Sequence, residues 1–207
     1  MKKVVFFILA TVMAVGVFSQ PAKEGTVKFN KNDVSAIIYE TADYDVKTTT
    51  AALKARLEKD AKLKGTNVSG FRCYQAQPFA EFGALNYDIY TKVVTTGKKK
   101  NLKTVIYLLV SKGNENFESE AKDPELAANM KAFLDNFVAT YLRRFDIEQK
   151  YQNQTKLIAK LEKEQKSLTS DKNKLQKQLE EKEKAITAKQ AEVAKAKALL
   201  NTLNESR

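Results

Sequence analysis

The sequence predicts an α+β fold: a small, mainly antiparallel sheet with packed helices, followed by a long C-terminal α-helical coiled coil. Three observations carry this. All seven glycines and all three prolines lie at or before Pro124, so the 83 residues from Glu125 to Arg207 contain no helix breaker. Before Pro124, short runs rich in β-branched and aromatic residues alternate with turn-forming residues, the pattern of strands. Beyond Phe145, apolar residues recur at heptad spacing for more than seven heptads.

The chain opens with Lys2 and Lys3, followed by an uncharged apolar run over residues 4–18. Val17 and Ser19 then occupy the −3 and −1 positions of a small-residue cleavage site. The run is short for a membrane span of about 20 residues, and its flanks are those of a secretory signal. Residues 1–19 therefore read as a signal peptide, with Gln20 the first residue of an exported chain, periplasmic or extracellular. No cysteine follows the run, so a lipoprotein is not expected.

Residues 20–149 are expected to form a globular head. "TVKFN" and "VSAIIYE" read as two strands with "KND" (31–33) as their turn. "VKTTTAALKARLEKDAKLKG" reads as a helix, because Val46, Thr50, Leu53, Leu57 and Ala61 fall on one stripe and Gly65 stops it. "VSGFRCYQ" is expected to be one strand. "LNYDIYTKVV" alternates, with Leu85, Tyr87, Ile89 and Val93 on one face and Asn86, Asp88 and Lys92 on the other. "LKTVIYLLVS" is apolar on both faces, as a central strand covered from both sides would be. "TTGKKKN" connects these last two as a hairpin. The expected order is β-β-α-β-β-β-α. The last helix, about 124–149, is capped by Asp123 with Pro124 in its first turn. Its broad stripe (Leu126, Met130, Phe133, Leu134, Phe137, Val138, Tyr141, Leu142, Phe145) suits packing on a sheet.

Residues 150–207 form the tail. With Ile158 at position a, the a series is Tyr151, Ile158, Gln165, Lys172, Leu179, Ile186, Val193 and Leu200. The d series is Gln154, Leu161, Leu168, Leu175, Lys182, Lys189, Ala196 and Leu203. The expected oligomerisation seam is Ile158, Leu161, Leu168, Leu175, Leu179, Ile186, Val193, Leu200 and Leu203. Lys160, Lys163, Lys166, Lys174, Lys177 and Lys184 fall at b, c or f, the outward face. Glu162, Glu164, Asp171, Glu183 and Glu192 flank the seam at e and g, and Lys197 is placed to meet Glu192 across a parallel pair. A parallel homodimer is the favoured assembly. The weak spot is "SLTSDKN" (167–173), where a hairpin would have to turn. Leu161, Leu168 and Leu175 stay in one column through it, which favours an unbroken helix.

Composition narrows the chemistry. After residue 19 the chain carries 34 Lys and Arg against 25 Asp and Glu, and the excess is +6 in residues 150–207 against +3 in residues 20–149. A basic excess suits anionic partners. For an exported chain, nucleic acid is not expected among them. The single cysteine, Cys73, rules out an intramolecular disulfide, and there is no histidine. No phosphate loop, Cys-x-x-Cys pair, metal-binding helix motif or nucleophile elbow occurs. The carboxylates of "GNENFESEAKD" (Glu115, Glu118, Glu120, Asp123) read as a solvated acidic loop leading into a helix N-terminus. No catalytic, metal or cofactor-binding residue is nominated, no cofactor is expected, and an enzyme is not predicted. The leading reading is a non-enzymatic structural or interaction protein of the cell envelope that self-associates through its tail, its head either binding an envelope protein or simply capping the stalk. The rival is a module binding an anionic or sugar polymer through Lys98, Lys99 and Lys100 at the hairpin tip and through Phe79 and Phe82 in a loop.

Overall fold

A computed structural model describes residues 21–98 and 101–205. The proposed signal peptide, Gln20, Lys99 and Lys100 lie outside the described residues. The chain divides into two compact units, Met1–Glu148 and Gln149–Arg207. The first is α+β.

Its sheet has six antiparallel strands: β1 (Lys23–Phe29), β2 (Asn32–Thr41), β3 (Thr66–Val68), β4 (Phe71–Pro78), β5 (Asn86–Thr96) and β6 (Lys103–Ser111), in the spatial order β1-β2-β6-β5-β4-β3. One strand more than expected arises because "VSGFRCYQ" is not a single strand. Ser69 and Gly70, with φ of 51° and 78°, fold it into the β3–β4 hairpin. The β1–β2 turn is likewise Asn30–Lys31, with φ of 48° and 70°, rather than residues 31–33. Two central residues of positive φ match the right-handed twist of the strands they join, and such turns favour Asn and Gly. A one-residue bulge lies between Tyr74 and Gln77 on β4. There Ala76 takes a φ of 48° and donates its N–H to Asp88 Oδ1 at 2.7 Å.

Two helices follow strands. α1 (Val46–Lys54) is capped by Asp45, whose Oδ1 accepts from the Thr48 N–H at 2.7 Å, and it widens into a π-helical stretch, Ala55–Asp60. The helical stretch ends at Asp60, and Lys62, in the left-handed region at φ 62°, turns the chain away before Gly65. Gly65 serves another purpose: a Cβ there would lie 2.5 Å from Arg72 Nε, 2.7 Å from Tyr74 Cε1 and 2.9 Å from Glu58 Oε1. α2 (Pro124–Asn136) begins as its sequence predicts, with Asp123 Oδ1 accepting from the Leu126 N–H at 3.0 Å. A second π-helical stretch, Phe137–Leu142, joins it to α3 (Arg143–Glu205).

The helices cover one face of the sheet, α1 over β5 and β6 and α2 over β2. Between them lies the main core, in which Ile37, Tyr39, Tyr74, Tyr87, Ile89, Ile106, Leu108 and Val110 of the sheet meet Leu53, Leu57, Leu126, Met130, Phe133, Leu134, Phe137, Val138 and Leu142. Leu85, expected with this set, precedes β5 and is exposed.

No described helix covers the other face, yet it holds a second cluster: Phe29, Ala36, Phe71, Cys73, Tyr90, Leu109 and Phe117. Tyr90 belongs here, so β5 buries both faces instead of turning a polar one to water. Phe29 on β1 and Phe71 on β4 stand four strands apart in the sheet, about 19 Å if the sheet were flat. Their ring centroids are 5.5 Å apart. The sheet is therefore rolled, closing its second face on itself. Phe117, from the segment after β6, completes the plug at 5.0 Å from Phe29 and 5.2 Å from Tyr90. A hydrogen bond from Ser69 Oγ to Asn30 Oδ1 joins the two hairpin turns across the roll.

In the second unit, α3 runs through residues 167–173 without interruption, so the tail does not turn there.

Phe133 is the point where α2 locks onto the sheet, in edge contact with Phe79 and Phe82 and stacked on Phe137. Phe133→Ala should therefore destabilise the head by about 3–5 kcal/mol, measured as a lowered denaturant midpoint of the near-ultraviolet tyrosine signal.

Candidate functional site

Three places in the molecule bear on function: the loop after β4, a polar cleft beside α1, and the exposed stripe of the tail.

The loop resolves the question of Phe79 and Phe82. They are 4% and 2% exposed, and their rings meet each other edge to face at 4.8 Å. Both also contact Phe133, and the Tyr87 hydroxyl donates to the Phe82 carbonyl at 3.3 Å. The loop folds inward because α2 leaves an aromatic socket there that two phenylalanines fill. Neither ring can reach a partner, which corrects their assignment as contact residues. Above them Arg56 lies 6.0 Å from the rings of both Phe79 and Tyr141 and is ion-paired with Glu81, closing the socket from water. Lys98, at the β5–β6 tip, is exposed.

The cleft, about 270 Å³, is lined by Thr50, Leu53 and Lys54 of α1 and by Asn67, Arg72, Tyr74, Thr91 and Val93 of the sheet. Its charged groups are already committed. Glu58 Oε1 accepts from Arg72 Nε at 2.7 Å and from the Tyr74 hydroxyl at 3.5 Å, while Arg72 Nη1 donates to Asn67 Oδ1 at 3.3 Å. Burial, with the Glu58 charge beside it, pushes the Tyr74 phenol up to about 12. A neutral phenol held against an ion pair fastens the end of α1 to β4; it is not poised for proton transfer near neutral pH.

The carboxylates of the segment after β6 are likewise committed, with Glu118 and Asp123 sharing Lys112. Asp123 caps α2 and pairs with Lys112 at 2.7 Å, and Glu120 pairs with Lys131 at 2.7 Å. Among the described residues no three His, Cys, Asp or Glu side chains gather as a metal site. Cys73 is buried on β4 in the second cluster, and burial pushes its thiol pKa up.

The tail is different in kind. Every described residue from 149 to 204 whose burial is resolved is exposed. Ile158, Leu161, Leu168, Leu175, Leu179, Ile186, Val193 and Leu200 lie 52–70% exposed, in two columns at a and d. The Leu203 side chain lies outside the described residues. Sequence reading missed Ile147, which is 58% exposed and sits at d one heptad before Gln154. Counting the heptad one step toward the head would have found it. Leu157 and Leu199, both exposed and both at g, widen the stripe at its two ends.

A buried thiol of raised pKa presents little thiolate. Cys73 should therefore resist iodoacetamide in the native protein and react fully in denaturant, as read by intact mass. Compared with known proteins, the chain matches no family model, no curated protein and no solved structure.

Proposed function

We propose that this chain is an exported structural or interaction protein of the cell envelope, and that it works by pairing its C-terminal helix with a second copy in parallel rather than by catalysing a reaction. One observation carries the reading: eight aliphatic side chains at a and d of one helix stand in water in the single chain. Each such side chain buried is worth roughly 1.5–3 kcal/mol, which is a large driving force even after the entropy of association. An exposed apolar stripe of this kind, though interrupted by polar layers, marks an interaction site.

The parallel arrangement is favoured by the flanks. In parallel register g faces the e position five residues on, so Glu192 meets Lys197 and Gln178 meets Glu183, and no like-charged g–e pair arises over Leu157 to Lys197. The opposing feature is the polar layers, Gln165 and Lys172 at a and Lys182 and Lys189 at d. Polar residues at seam positions set register and strand number at a cost in stability. Lys189 is partly offset by Glu192, with which it pairs within the same helix at 2.5 Å. In this reading the head terminates the pair and supplies the surface that meets an envelope protein.

The Leu179→Lys, Ile186→Lys double variant should convert the wild-type oligomer to monomer in analytical ultracentrifugation while the melting of the head barely moves. A wild type that sediments as a monomer at tens of micromolar would sink the pairing.

Export is tested separately. Residues 1–19 carry the signal features, so the chain recovered from expressing cells should begin at Gln20 and fractionate outside the cytoplasm. N-terminal mass spectrometry reads this directly, and an intact Met1 in the membrane fraction would count against it.

A further inference from the structure

Pairing through the seam leaves the opposite face of the tail unassigned, and that face is not an ordinary mixed-charge surface. Going round an α-helix, f lies opposite the a/d seam, b and c lie beside f, and e and g border the seam. From Lys156 to Lys177 the b, c and f positions hold Lys156, Lys160, Lys163, Lys166, Lys174 and Lys177, with no carboxylate among them. All are exposed. The acids of the same stretch, Glu162, Glu164 and Asp171, sit at e and g. Six lysines thus line one face over about 30 Å of helix axis. Lys160 and Lys174 make only long ion pairs, 3.8 Å each, with Glu164 and Asp171. The other four have no carboxylate within ion-pair distance among the described residues.

We infer that this lysine stripe is a binding surface for a linear acidic polysaccharide, laid along the outer face of the paired tail. Three features select that partner. A helix lying on an anionic membrane turns its apolar face into the lipid with basic residues bordering it; here no basic residue borders the seam, its only charged flanking residues are Glu162, Glu164 and Asp171, and the six lysines point the other way. The tail holds one aromatic residue, Tyr151, and its only arginine is Arg207, so it offers no stacking platform for bases and no planar fork for phosphate. What it offers is a row of point charges that matches charge density, as on a chain of acidic sugars. The inference rests on the proposed export, which places such polymers within reach; seam pairing would turn the stripe outward on both helices.

The test uses residues 20–207 with polygalacturonate as probe, and neutral dextran, a short DNA duplex and anionic phospholipid vesicles alongside. Binding is measured by titration calorimetry at low and moderate salt, with sedimentation of the same samples. Polygalacturonate should bind with an affinity that falls steeply with salt, and dextran should not bind. The triple variant K163Q/K166Q/K177Q should lose about fivefold or more in affinity and flatten the salt dependence. A second triple, K47Q/K59Q/K64Q, removes the same charge from exposed sites on the head and should lose less than about twofold. Arginine in place of the three tail lysines should retain binding, which separates charge from any change in helicity. Equal losses from the two glutamine triples would overturn the inference, as would tighter binding to duplex or vesicles, failure of the arginine variant, or no binding at low salt. A monomeric wild type that still binds through the stripe would refute seam pairing and leave the polysaccharide surface standing.

Discussion

The head depends on one constraint: β6 is apolar on both sides, so both faces of the sheet must be kept from water. Ile106, Leu108 and Val110 face the helices, while Val105 and Leu109 face away, and all five are buried. Two helices suffice for one face only. The second face is closed by rolling the sheet until Phe29 reaches Phe71 and Tyr90, with Phe117 packed in behind. Roll, bulge and tight turns belong together. A two-residue turn of positive φ and a bulge both increase strand twist, and a strongly twisted sheet brings its ends near each other.

The aromatic pairs reinforce this architecture in the geometry such rings prefer. Most of the ring contacts are edge to face at centroid separations of 4.8–6.3 Å, within the range where ring quadrupoles attract. One set, Phe79, Phe82, Tyr87 and Phe133, glues α2 and a loop to the sheet. The other, Phe29, Phe71, Tyr90 and Phe117, seals the roll. A chain with one cysteine has no covalent alternative, so shape-matched aromatics carry what disulfides carry in many exported proteins.

The tail meets the same hydrophobic constraint and leaves it open. Its apolar residues fall in two columns, too narrow a stripe to cover a sheet and suited to a partner helix of the same kind. From Lys156 to Lys177 charge follows the same geometry, with the acids bordering the seam and, apart from Lys172, the lysines opposite it. The apolar columns and the lysines thus occupy different faces of one helix.

The sequence by itself determined the fold class, the α2 cap, the two-sided character of β6 and the heptad phase of the tail. These are local: a cap, a run or a period is visible within a few residues of itself. Position along the chain is also enough to separate Lys163 at f from Lys182 at d. Tertiary structure decided what depends on distant partners. "VSGFRCYQ" carries a turn dipeptide, Ser69-Gly70, near its start, and the pairing of Thr66 with Cys73 and of Val68 with Phe71 makes it the hairpin. Asn30–Lys31 became the turn because register sets Phe29 opposite Asn32. Phe79 and Phe82 look like free loop aromatics until Phe133, more than fifty positions later, arrives to cover them. Tyr90 alternates with Asp88 and Lys92 on the face away from the helices, and the roll of the sheet gives it a core. Burial is a property of what lies across the gap, and no window of sequence contains both sides.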